Sequence, residues 1–477
     1  VSRRAHRRDE AAKPADEPQP EGQGPEIRLV ELIDGGLVEA VMVAVADAQG
    51  RLKGKVFDAG VLRGRLARGL VSSEVCGYLL GTDLGMTPAD GGVWSWASGF
   101  GDVDLAWELG RARVLPWLPG TALVWARPVQ AEGRPHALSP VTVLEEQMMR
   151  LAGAGLVPMV GLETEFVLVE GSERDAERSG WRPRPATVGN LDYGLDVPAG
   201  AAAVLRELRR VLAEAGMPVE ALKLEGAPGQ VEVTFPYGPV ERACEQHLLF
   251  KHAARVVAER HGMSALFMAA PFTGTGSGLH LHLSLHRMHD DGGDGAVFAP
   301  DGEGELLSET GRQAVAGLLN VLPAVGPMWA PTVNSYRRLA RDHGFAPTRA
   351  TWGWDNRSCA VRVVGHGGGR HLEVRVPGAD ANPYLAVAAA LAGVRHGIEG
   401  GLVPPAPARG DSYQEAKAWR LPRDLASAVK EFETDQAVAE LFGVQLVAHL
   451  ASLARLELDH HAPLVSAAEV ARGFAQS

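Results

Sequence analysis

Gly161-Leu-Glu163-Thr-Glu165-Phe166-Val-Leu-Val169 is the stretch that decides the fold. Its β-branched and aromatic residues predict a strand. Alternate side chains of a strand share a face, so Glu163 and Glu165 point the same way. Their flanks, Val160-Gly-Leu162 and Phe166-Val-Leu-Val169, are apolar on both sides. That favours a central strand over a solvated edge. Two carboxylates in such surroundings need a partner or a metal ion between them.

Downstream segments supply further polar groups. Glu225-Gly-Ala-Pro-Gly-Gln230-Val-Glu232 frames a Pro-Gly turn with two carboxylates. Gly274-Thr-Gly-Ser-Gly-Leu-His280-Leu-His282-Leu-Ser284 is a Gly-rich loop leading into a strand with two same-face histidines. It lacks the Gly-Lys-Ser/Thr ending of a P-loop. Arg338, Arg357, Arg362 and Arg375 lie in otherwise apolar or small-residue segments, with Glu373 beside the last. Arginine suits planar, bidentate recognition of carboxylate and phosphate. The inventory is five carboxylates, one or two histidines and four arginines. Oxygen-rich ligation with an occasional imidazole selects Mg²⁺ or Mn²⁺ over zinc. Divalent ions beside arginines suit phosphoryl transfer. The residues alone thus describe a magnesium-dependent, ATP-using enzyme with an anionic second substrate.

Around these motifs the chain is ordinary in composition. It has 477 residues, 46% hydrophobic and 22% charged, with a formal net charge of -11. The acidic balance disfavours nucleic acid as a partner. Cys76, Cys244 and Cys359 are far apart, which fits neither a disulfide framework nor a zinc-thiolate site and suits a cytoplasmic location. The apolar run Tyr384–Val394 stops at Arg395, short of the ~20 residues a bilayer needs, so no membrane association is expected. Residues 1–26 have the composition of a disordered tail. A small mixed α/β domain is expected over 27–135, with strands at Val38–Asp47, Arg51–Phe57 and Thr121–Ala126. Residues 136–477 alternate strands and helices as one larger domain.

In this order the segments from Glu163 to the closing Asp380-Ala-Asn-Pro-Tyr-Leu385 resemble the glutamine synthetase family. The resemblance implies an α+β fold. A small N-terminal β-grasp domain would precede a catalytic domain with a curved antiparallel sheet flanked by helices. It implies two or more divalent ions per site: one held by Glu165, Glu225 and Glu232, another by Glu163, His280 and Glu373. Arg338 and Arg375 would hold the glutamate α-carboxylate, helped by the backbone near Gly276. Arg357 and Arg362 would meet the ATP phosphates, and His282 and Ser284 would bind the nucleotide. The implied reaction forms γ-glutamyl phosphate, from which an amine displaces phosphate. A homododecamer with active sites shared between subunits is also implied.

One segment departs from the ammonia-using members. Their flap reads Arg-Leu-Val-Pro-Gly-Tyr-Glu-Ala-Pro. Here the stretch is Arg338-Leu-Ala-Arg-Asp342-His343-Gly-Phe345-Ala-Pro347, one residue longer, with phenylalanine where the glutamate should stand. Losing that carboxylate removes a cation-attracting group, and a phenyl ring offers apolar surface to a carbon chain. The pattern is similar to the γ-glutamyl-amine ligase branch, and most like its actinobacterial ethanolamide and polyamine members. An amine that is mostly protonated at neutral pH needs a base, for which Asp342 and His343 are the candidates. The Asp-Gly-Ser-Ser motif of the ammonium site is missing; Asp90 and Asp102 are the candidate substitutes. Ammonia-dependent glutamine synthesis and a non-catalytic scaffold are the competing expectations.

Overall fold

The computed structural model describes residues 25–89, 92–287, 295–300 and 306–474. Most of the expected tail and Asp90 therefore lie outside the described residues. Pro25 and Glu26, expected in the tail, instead begin a helix, Pro25–Asp34.

Two sheets organise the described residues. The first contains β1 (Ala40–Ala46), β2 (Leu52–Asp58), β3 (Ser72–Cys76), β4 (Asp102–Val114) and β5 (Thr121–Val129), in the order β2-β1-β5-β4-β3. β1 and β2 form the hairpin expected around Asp47–Gly50. β1 and β5 are parallel, so the sheet is mixed. β4 was not anticipated, although its Val103, Leu105, Trp107 and Leu109 are all buried, alternating with residues nearer solvent. That period of two is a strand signal, obscured by Asp102, Asp104 and Glu108 on the other face.

The second sheet runs from β6 (Leu156–Glu170) through β7 (Arg184–Pro185), β8 (Ala221–Leu224), β9 (Gln230–Thr234), β10 (Gly238–Pro239) and β11 (Met263–Leu266). It continues with β12 (Leu279–Arg287), β13 (Gly295–Ala296), β14 (Trp352–Trp354), β15 (Val361–Val364) and β16 (His371–Val374). Its main path is β14-β15-β16-β12-β6-β9-β8. β6 is central, as its apolar flanks require. The pairings are antiparallel except for the short parallel pair β14–β15 at one rim.

Helices cover this sheet. Val240–Arg260 places Phe250 against Phe166 of β6, with ring centroids 5.7 Å apart in an edge-to-face arrangement. Pro383–Glu399 is buried along almost its whole length, which explains an apolar run too short for a membrane. No single described helix is long and apolar enough to cross a membrane. Near the end of the chain lie three helices in succession: Leu425–Thr434, Gln436–Phe442 and Val444–His461. The two sheets are bridged by Asn382. Its side chain caps the helix by accepting from the Tyr384 N–H at 2.9 Å and donates to the Asp47 carbonyl at 2.8 Å. Gly50 sits at this seam with φ +68°, and a Cβ there would come within 3.1 Å of the Asn382 Cα.

Candidate active site

Strand register brings the acidic and basic residues into rows across the sheet. Lys223 of β8 pairs with Glu232 of β9, and Glu232 pairs with Glu165 of β6. In the next row Thr234 pairs with Glu163, and Glu163 with His280 of β12. Then Arg362 of β15 pairs with Glu373 of β16, and Glu373 with His282 of β12. Residues separated by more than 100 positions in sequence thus share one face because hydrogen-bonded strands place their side chains ~5 Å apart.

Among the described residues, two groups have donor atoms close enough to hold a metal ion. One is Glu163, His280 and Glu373; the other is Glu165, Glu232 and His280. His280 belongs to both. Its Nδ1 is buried without a hydrogen-bond partner and lies 3.6 Å from Glu373 Oε1 and 3.9 Å from Glu163 Oε1. A buried, unpartnered imidazole nitrogen facing carboxylates is a donor set that suits a hard divalent ion with mixed oxygen and nitrogen ligation. The first group matches the expected trio. The second differs: Glu225, expected with Glu165 and Glu232, lies outside it. Its Oε1 accepts from Lys223 Nζ, and Oε2 accepts from the Gly226 N–H at 3.0 Å.

The electrostatics follow from this crowding. Burial pushes the Glu163 carboxyl up, but its polar contacts with His280, His282 and Glu232 outweigh that and hold it well below the usual range. Glu232 is pushed the other way by its own burial and by the Glu163 carboxylate. Two carboxylates so placed stay ionised together only with positive charge between them. Burial also raises Glu373, yet the charges of Arg375, His280, His282 and Arg362 bring it down to about 2. Glu373 is 1% exposed. One carboxylate oxygen accepts from Arg375 Nη1 and the other from Arg362 Nη1, the latter at 2.8 Å.

The arginines divide into two sets. Arg338 is buried and donates to the carbonyls of Val376 at 2.8 Å and Arg375 at 3.1 Å. A Cβ on Gly278 would lie 2.7 Å from its Nη2 and 3.0 Å from His280 Nε2, so a larger residue there would displace these side chains. Arg375 keeps a buried Nε without a partner, a donor available to an anion. Arg362 also donates Nε to Asp355 at 3.0 Å. Arg357 is exposed. Around Gly276, Gln230 Nε2 donates to the Gly276 carbonyl at 2.8 Å and to Glu165 Oε2 at 3.1 Å. The Gly278 N–H donates to the same Glu165 oxygen at 2.7 Å.

A cavity of about 380 Å³ opens beside these rows, lined among others by Glu163, Tyr237, His282, Ser284 and His371. It holds His282 and Ser284, as expected of nucleotide contacts, but neither Arg357 nor Arg362 lines it. His282 Nε2 lies 2.9 Å from Glu163 Oε2, and its Nδ1 lies 3.1 Å from His371 Nε2. A larger cavity of about 520 Å³, lined by Leu319, Trp352, Val403 and Trp419, includes none of these carboxylates and imidazoles.

Sequence reading overlooked His371, Lys223 and Gln230. For the first two the signal was present: His371-Leu-Glu373 and Lys223-Leu-Glu225 alternate polar residues on one strand face.

The flap behaves differently. His343 and Phe345 adopt φ +62° and +59°, a region costly for residues with a Cβ. Phe345 is 74% exposed. His343 Nε2 meets Asp411 Oδ2 at 2.8 Å. Asp342 accepts from Thr348 Oγ1 at 2.6 Å and from Arg420 Nη2 at 3.4 Å. The Thr348 hydrogen bond leads the effects that hold the Asp342 carboxyl below its ordinary value, which makes it a weak base. Both candidate bases therefore spend these polar atoms within the flap and the segment behind it. Asp102 is an exposed residue at the start of β4.

A family model of the glutamine synthetase catalytic domain matches residues 137–472. The chain belongs to the glutamine synthetase family. It is 37% identical over 448 residues to the gamma-glutamylethanolamide synthetase GlnA4 of Streptomyces coelicolor, covering 94% of this chain and 95% of that one. It is 28% identical to the glutamate–isopropylamine ligase of a Pseudomonas species, covering 94% of this chain and 97% of the ligase. A solved structure of GmaS with ADP superposes with a TM-score of 0.80 at 28% identity, covering 94% and 99% of the two chains. The family resemblance carried by the segments from Glu163 to Leu385 is borne out, and with it the α+β architecture.

Proposed function

We propose that the chain is an ATP-dependent carbon–nitrogen ligase that joins the γ-carboxylate of glutamate to a primary organic amine. One observation carries this reading. A buried set of carboxylates and imidazoles suited to phosphoryl transfer sits in a chain whose flap presents Phe345 in place of a carboxylate. Relatives matched along nearly their full length make an ethanolamide or an isopropylamide of glutamate. That favours an organic amine over ammonia.

Glu163, His280 and Glu373 would hold one divalent ion, Mg²⁺ or Mn²⁺; Glu165 and Glu232 would hold another, with Glu225 joining them. Bound there, the ions neutralise the phosphate oxygens and the leaving phosphate. Arg338 and Arg375 would bind the α-carboxylate near Gly276, with the unpartnered Arg375 Nε as one donor. His282 and Ser284 would line the nucleotide site, and Arg357 and Arg362 would meet the phosphates. A γ-carboxylate oxygen attacks the ATP γ-phosphorus and ADP leaves. The amine nitrogen then attacks the acyl carbon, phosphate leaves, and the nitrogen gives up its proton to a base. His343, oriented by Asp411, is the better candidate base; Asp342 is better suited to holding the flap. Aligning the reactants supplies much of the rate. Residues 27–135 would form the small domain and 136–477 the catalytic domain of a cytoplasmic homododecamer.

The test is product identification. Enzyme, ATP, Mg²⁺, glutamate and ethanolamine should yield γ-glutamylethanolamide by mass spectrometry, with one ADP per amide. ATP consumption without amide for any amine in a panel would reject the ligase reading. No nucleotide or metal binding at all would favour the scaffold.

A further inference from the structure

Tyr413 has no part in the reaction outlined above. Its segment is fastened to the loop that carries Arg357: the Ser412 N–H donates to Ser358 Oγ at 3.0 Å, and the Gly410 carbonyl accepts from Asn356 Nδ2 at 2.8 Å. From there Tyr413 reaches into the flap. Its ring centre lies 4.9 Å from that of His343, and its hydroxyl donates to the Ala346 carbonyl at 3.1 Å. Its own carbonyl accepts from Arg349 Nε at 2.9 Å. Further along, the Leu421 N–H donates to the Thr348 carbonyl at 3.0 Å, and the Ala350 N–H to the Trp419 carbonyl at 2.8 Å. The returning arm of the flap is thus strapped to residues 413–421. Tyr413 is 5% exposed, whereas Phe345, next to the Ala346 acceptor, lies open. Burial raises the phenol above its ordinary value, so the hydroxyl stays a donor at neutral pH.

We propose that Tyr413 is a positioning residue for the amine step, tying the flap that carries His343 and Phe345 to the loop that carries Arg357. Two contacts act together. The hydrogen bond fixes the backbone beside Phe345, the residue that would face the carbon chain of the amine. The ring contact, with Asp411 on His343 Nε2, limits the orientations open to the imidazole. Among the described residues, the hydrogen bonds of Tyr413 go to Ala346, Arg349 and Asp411, and none to the carboxylate rows. Arg338 and Arg375 act on its phenol through their charge alone. Loosening the tie therefore falls on the amine and spares glutamate and ATP. This rests on the ligase reading, with the flap at its amine end.

The test is steady-state kinetics of Tyr413→Phe beside wild type, together with trypsin cleavage after the exposed Arg341 of the flap, followed by mass spectrometry. The variant keeps the ring and loses the hydrogen bond to Ala346. Its kcat/KM for ethanolamine should fall about fivefold, as expected for one hydrogen bond, with the KM values of ATP and glutamate within about twofold of wild type. Cleavage after Arg341 should quicken by about the same factor, because it follows the population of the opened flap. Tyr413→Leu also loses the ring against His343, and its kcat/KM for ethanolamine should fall about twentyfold. The Phe variant suffices if the Leu variant does not fold. An unchanged kcat/KM for ethanolamine overturns the inference and leaves the ligase reading intact. So does a rise in all three KM values together, which a merely structural residue would produce. A wild type that makes no amide overturns the ligase reading and the role in the amine step. The cleavage rates then decide the tie alone, and equal rates in variant and wild type would refute it.

Discussion

The carboxylate rows and the flap are built by opposite means. The rows sit on β6, β9, β12 and β16, where each side chain is fixed by strand register and Glu373 is 1% exposed. The flap holds Phe345 at φ +59° with 74% of its surface open. Register in a sheet buried on one face cannot slip without turning every side chain over. A loop can change residues and length at little cost to the fold. On the proposed reading, the reaction would sit in the part that cannot vary, and the choice of amine in the part that can.

The sharpest way to break this contrast is within the rows. Glu163→Gln should lower turnover by about 100-fold or more, since even indirect partners of metal ligands cost up to that much. Far-ultraviolet circular dichroism should stay unchanged. A loss under tenfold in steady-state rate would detach the rows from catalysis.

The seam between the two sheets is the next probe. Asn382→Ala removes a helix cap and one of the two donors to the Asp47 carbonyl, which keeps only the Gly50 N–H. We expect about 2 kcal/mol of destabilisation in urea unfolding. A change within error would mean that water replaces the side chain at no cost.

The flap should respond in preference more than in stability. Phe345→Glu restores a carboxylate and should shift the kcat/KM ratio of ethanolamine to ammonium about tenfold toward ammonium. Its melting temperature should stay close to wild type. A ratio that does not move would take the amine choice away from the flap tip.

The smallest effect belongs to Asp342. Its folded-state carboxyl is lowered from an ordinary value of 3.8. Its contribution to stability is therefore present above that value and lost as pH falls through the lower folded one. Being only partly buried at the surface, it is discounted for screening. Asp342→Asn should melt slightly below wild type at pH 7, and the gap should close in strong acid. Its pH–rate profile between pH 7 and 9 should match wild type. A selective loss of rate at pH 7 would restore Asp342 as the base.

Much of this contrast is legible in the sequence. Glu163-Thr-Glu165 between apolar flanks is enough to place β6 centrally, and His280-Leu-His282 to place both rings on one face. Alternation carries that information because it is local. The pairing of Lys223 with Glu232, or of His282 with His371, depends on which strands become neighbours, and no local pattern specifies that. Glu225 shows the limit: the family resemblance implies a metal ligand, and no local pattern announces its contact with Lys223 two residues away. The departure at Phe345 is visible at once in sequence. The positive φ at His343 and Phe345 is not, since no local pattern there marks either residue for it.

The most direct test of the central claim is competition between amines in one reaction. Enzyme, ATP, Mg²⁺ and glutamate are given ethanolamine and ammonium at equal concentrations, and both amides are quantified by mass spectrometry. A large excess of γ-glutamylethanolamide over glutamine is expected. Glutamine as the main product would contradict the account.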